Sequence, residues 1–97
     1  SLILLNNLSQ ARTSATQALT LDTQVQTALT TDAEAAAAVA SDHELLGDVL
    51  VLQGEAAAAQ AEFNTAMAVT QTQLTHFPHS EKLLQVSASV QAKLKAP

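Results

Sequence analysis

Cysteine, tryptophan and tyrosine are absent from the 97 residues, and glycine and proline occur twice each. Without cysteine there is neither a disulfide nor thiolate chemistry, which leaves the compartment open, with cytoplasm ahead of periplasm. Aromatics make up 2% of the chain. Much of the 47% hydrophobic content is alanine, whose burial gains far less than the ~1.5–3 kcal/mol of a buried Leu or Phe. The core is therefore thin for its length, and a neighbouring repeat or subunit is expected to complete it. Basic residues are scarce: Arg12, Lys82, Lys93 and Lys95 are the whole set, against nine acids, and none lies between Thr13 and Glu81. A surface of that sign repels phosphate, which argues against nucleic acid and anionic membranes as partners. No apolar run is long enough to cross a bilayer, so no membrane insertion is expected. The opening SLILL lacks an initiator Met and the basic flank of a signal peptide. It reads as the tail of a helix that begins upstream, in a fragment or processed product.

What is present is helical periodicity. Leu45, Leu46, Val49, Leu50 and Leu52 recur at the i, i+1, i+4, i+5 spacing of an amphipathic helix. Gly54 follows as a left-handed cap. Glu55 then stands at the head of a second helix, where the macrodipole favours an acid. That helix carries Ala59, Phe63, Ala66, Met67 and Leu74 on one face. A turn this short obliges the two helices to pack antiparallel. Gly47 and Ala59 are small enough to let the backbones approach, with Phe63 and Leu50 filling the space beside them.

These positions resemble the tetratricopeptide repeat. Leu46, Gly47, Gly54, Ala59, Phe63 and Ala66 fall at the intervals of its consensus. Leu50 stands where Tyr is usual, His43 where Trp is usual and Gln71 where the terminal Pro is usual. Pro78 follows seven residues later, as in an extended bacterial form with a longer second helix. A shift of 48 residues brings Asn6 onto Gly54, Ala11 onto Ala59 and Ala18 onto Ala66, which reads as a second, degenerate copy. The expectation is one all-α domain over 1–97, with antiparallel helix-turn-helix repeats stacked as an α-solenoid of about two repeats. Residues 1–29 form a partial repeat, 33–77 the best-matching one and 80–95 a capping or next-repeat helix.

Five helical pieces are predicted: 1–5, 8–29, 33–53, 55–76 and 80–95. The second has Leu8, Ala11, Ala15, Ala18, Leu19 and Val25 inward, but its many Thr residues weaken it. Thr31 with Glu34 fits a capping box that starts the third near residue 33, ahead of a rival start at Ser41 with Glu44. Pro78 ends the fourth. Ser80 caps the fifth, which has Leu83, Leu84, Ser87, Val90 and Leu94 inward and Lys93 and Lys95 at its carboxyl end.

Chemistry finds little purchase. His76 and His79 have a ligand-like spacing, but Pro78 interrupts the helix between them and no further ligand completes a set. His43, between Asp42 and Glu44, reads as a surface or groove histidine. No nucleophile motif or phosphate loop is present, so no enzyme, cofactor or metal is expected. The resemblance implies a concave groove lined by the first helix of each pair, here at Glu44, Asp48 and Val51. Its acids would repel a carboxylate and accept a basic or neutral peptide. The expected function is a non-catalytic protein-interaction scaffold or adaptor, with a protein or peptide partner or self-association through residues 1–30. The alternative is a structural bundle subunit without a groove.

Overall fold

A computed structural model describes the backbone of residues 2–28 and 32–95 and the side chains of residues 7–27 and 32–95. Four helices follow one another: α1 (Leu2–Ala28), α2 (Ala33–Leu52), α3 (Ala56–His76) and α4 (Glu81–Lys95), with no strand among the described residues.

The all-α expectation holds, and the helix boundaries from residue 33 onward fall within a residue or two of those predicted. Asp32 is the cap of α2: its carboxylate accepts from the Glu34 and Ala35 amides at 2.9 and 3.3 Å. The expected cap Thr31 lies outside the described residues, and Ser41 is interior to the helix. Gly54 sits at φ +79°, the only positive φ among the described residues. The Glu55 amide donates to Leu50 O and the Gly54 amide to Val51 O. That is the Schellman arrangement, which closes the orphan carbonyls of α2 and turns the chain into α3. Ser80 Oγ accepts from the Leu83 amide at 3.3 Å and so caps α4.

The amino-terminal half differs from expectation. A turn at Asn6, matching Gly54, was expected to separate two helical pieces, but α1 runs unbroken through that position. Asn costs only a few tenths of a kcal/mol in a helix interior, whereas Gly costs about 1 kcal/mol. Asn6 therefore permits a left-handed turn without requiring one.

α2 is the hub of the packing. Among the described residues α1 packs on α2 alone, whereas α4 packs on both α2 and α3. Arg12 reaching Gln53 and Glu55 sets α1 antiparallel to α2. Ser89 of α4 donates to Glu44, and Lys93 of α4 meets Asp48 at 2.8 Å, each pair 45 residues apart, so α4 runs parallel to α2. The main core gathers Ala15, Leu46, Leu50, Ala59, Phe63, Ala66, Met67 and Val90, with Leu19, Val86 and Leu94 at its margin. A second, smaller cluster joins Ala36 and Ala37 of α2 to Leu83, flanked by Leu74 and Phe77. Alanine in this half of α2 lets the bulkier Leu83 of α4 be fully buried.

Candidate functional site: the uncovered face of α2

Gly47 is buried where α2 crosses α3. A Cβ added there would lie 2.5 Å from Phe63 Cε1 and within 2.9 Å of two further ring carbons. Leu46, Leu50, Ala59, Phe63 and Ala66 are all buried in the same core, Gly54 is in the turn, and Pro78 lies in the turn after α3. His43 Nδ1 stands 2.7 Å from Glu62 Oε2, linking α2 to α3 at a partly buried position. His76 is in the last turn of α3 and His79 is exposed in the following turn. Among the described residues no three His, Cys, Asp or Glu side chains are grouped to hold a metal.

The three groove candidates separate. Glu44 and Asp48 point at α4, where Lys93 Nζ lies 2.8 Å from a carboxylate oxygen of each. Glu44 also accepts from Ser89. Burial alone would lower the Lys93 ammonium, but the hydrogen bonds and charges of Asp48 and Glu44 outweigh it and hold its pKa above the ordinary value. The same ammonium stands 5.9 Å from the centre of the Phe63 ring, inside cation–π range. Both acids therefore engage the α2–α4 seam through Lys93; Glu44 is largely covered there, whereas Asp48, 41% exposed, stays at the edge of an open depression. The physical reason is the one Lys that α4 brings to this level.

Val51 is different. With Asp48, Leu52, Ala56, Ala59, Gln60, Phe63 and Lys93 it lines a depression of about 530 Å³. A second depression of about 270 Å³ lies between α2 and α4 at their amino ends, against Glu34, Ala37, Ala38, Ser41, Lys82 and Val86.

At 100° per residue the faces of α2 can be assigned. Ala36, Ala40, His43, Gly47 and Leu50 face α3. Ala35, Val39, Asp42, Leu46 and Val49 face α1, and Ala37, Glu44 and Asp48 face α4. The sector left over carries Glu34, Ala38, Ser41, Leu45 and Leu52. Leu45 and Leu52 are 51% and 69% exposed. Both were expected inward from the apolar run, and the structure corrects this. Five apolar residues spread over eight positions cover more than one face of a helix, so the outermost two are turned to solvent. Ala11, Val25 and Leu84 are likewise exposed where they were expected inside. Adjacent leucines leave the choice of face open from sequence alone; the Leu45–Leu52 spacing of seven was the available signal.

On the α1 side, Asp42 Oδ2 is buried with no hydrogen-bond donor facing it. Burial first, then the hydrogen bond to Asp22 and its charge, push the Asp42 carboxyl up to about 7. Protonated, Asp42 can donate to Asp22; ionised, the two carboxylates oppose each other across the α1–α2 seam.

No family model, curated protein or solved structure matches the chain.

Proposed function

We propose that this chain is a non-catalytic protein-interaction module, a tetratricopeptide-like scaffold or adaptor that holds a protein or peptide segment along α2. One observation carries the reading: α4 lies on the α2–α3 hairpin, parallel to α2, and makes no contact with α1 among the described residues. In a closed four-helix bundle α1 would meet α3 or α4 and cover all four inner faces. Here each helix packs on those near it in sequence, the habit of stacked hairpins. The consequence is a strip of α2 left uncovered, with depressions at both ends of it on the α4 side. The walls offer Leu, Val and Ala together with scattered polar groups, a surface suited to holding and not to bond chemistry.

The test is selection from a displayed library of random peptides, with binders mapped by amide resonance shifts. Binders that shift Ala38, Ser41, Leu45, Val51 and Leu52 support the module. A library that yields none, or binders scattered over the surface, counts against it and favours a purely structural helical subunit. Self-association through residues 1–30 is read in the same experiment by sedimentation equilibrium.

A further inference from the structure

We infer that the uncovered strip of α2, with the adjoining flank of α1, receives an amphipathic helix of another protein whose apolar stripe is bordered by Lys and Arg. This rests on the interaction-module reading and names the partner's chemistry.

The register of the α1–α2 pair comes first. Arg12 stands opposite Gln53 in an antiparallel pair, which brings Leu21 level with Glu44, one residue from Leu45, and Val25 level with Ala40. Leu19 packs on the main core. At 100° per residue Leu21 and Val25 project from the other flank of α1, beside the uncovered strip. They are 62% and 46% exposed. Leu21, Val25 and Leu45 therefore form one apolar surface shared by two helices, and Ala38 and Leu52 extend it toward the two ends of α2.

Its geometry selects a helix as the occupant. Ala38, Leu45 and Leu52 are spaced by seven, the repeat of a helix–helix seam. From Ala38 to Leu52 the axis rises about 21 Å, roughly four turns. A β-strand finds no sheet edge here, because the neighbouring backbone bonds are closed within helices. A polyproline segment needs an aromatic-lined groove, and this surface has none among its residues.

Charge selects the partner's flanks. Between Thr13 and Glu81 there is no Lys or Arg. Glu34 is exposed in the strip itself, and Asp22 and Asp42 stand on its α1 side. Glu44 and Asp48 share one cation on its α4 side, and Arg12 at the far end is paired with Glu55, so acids outnumber bases beside this surface. From α4, Lys93 is engaged by Glu44 and Asp48, and Lys82 borders the far depression. A second copy of the chain would bring the same acids against these. A helix with basic flanks would be attracted.

The probe is a fluorescent model helix of about three heptads, with Leu at the a and d positions and Lys at e and g; its twin carries Glu in place of Lys. Anisotropy titration against the full chain should show the Lys helix binding about tenfold or more tightly than the twin. Added salt should weaken it. The Leu21→Ser/Leu45→Ser variant should lose about tenfold in affinity while its helical circular dichroism stays unchanged. Leu84→Ser, on the outer face of α4, should bind as the parent does. Equal binding of the twins, equal binding by the double variant, or no binding of the Lys helix overturns the inference. So does a dimer of the chain that Leu45→Ser dissociates. If library peptides still map to α2 while the Lys helix fails, the module survives and this partner does not. If no library peptide binds either, both fall.

Discussion

Gly47 shows how one residue sets the distance between two helices. Replacing it by Ala gains about 1 kcal/mol of helix propensity, but the new methyl would stand 2.5 Å from the Phe63 ring, and overpacking costs roughly 1–3 kcal/mol. The clash outweighs the gain in propensity, so Gly47→Ala should lower stability in urea denaturation by about 1 kcal/mol. In a Phe63→Leu background, where the ring is gone, the same substitution should become neutral or stabilising. A loss of equal size in both backgrounds would deny the contact. Asp42 supplies the second residue-scale prediction. Its folded pKa, about 7, is above the ordinary 3.8, so the native state binds the extra proton. Stability from this group is present at low pH and is lost as pH rises from about 4 to about 7. Asp42→Asn should flatten that part of the stability-versus-pH curve; an unchanged slope would assign it to other groups. That Gly47 lies in the α2–α3 contact was legible from residue size and spacing; that the Phe63 ring, and not the backbone at Ala59, fills the space over it was not. The Asp22–Asp42 pair was not, because the two lie 20 positions apart and only helix packing makes them neighbours.

At the level of the element, the seam between α2 and α4 depends on Lys93. Glu44 has a side chain only 12% exposed, and removal of its cation leaves a nearly buried carboxylate held by Ser89 alone. Lys93→Met should cost about 1–3 kcal/mol, and Glu44→Gln in that background should recover part of it, both read by chemical denaturation. In α1 the hydroxyls of Thr13, Thr16, Thr20 and Thr27 each donate to the carbonyl four residues back. That bond fixes the side chain without adding to the helix and slightly disfavours it. Thr13, Thr16 and Thr20 are exposed, so changing all three to Ala should stabilise by roughly 0.5 kcal/mol each, seen as slower amide exchange in α1. The caps and ends of α2, α3 and α4 were readable because Gly54, Pro78 and Ser80 each act within a few residues. The continuity of α1 was not, since Asn6 allows both a turn and a helix and nothing local decides between them.

The molecule measures 44 × 30 × 18 Å with a radius of gyration of 13.7 Å, against about 12.5 Å for a rounder chain of this length. A single added helix would be about 10–12 Å across, so docking along α2 would thicken the slab appreciably. The helical class was written plainly in the periodicity. Which strip of α2 stays open was not, because Leu45 and Leu52 look like core until α1, α3 and α4 have taken their places. Glu44 looks like an open groove residue until Lys93 and Ser89 cover it.

Since α1 rests on α2 and, among the described residues, on no other helix, it is held like a guest on a host. Cut in the link between them, the two pieces should still find each other when mixed, residues 32–97 regaining in trans the rod they lost. A synthetic peptide of residues 2–28 would then act as a reversible ligand whose affinity measures that one seam, weakening as the solution is made more alkaline through neutral pH. The molecule carries within itself a worked case of one helix binding another along α2.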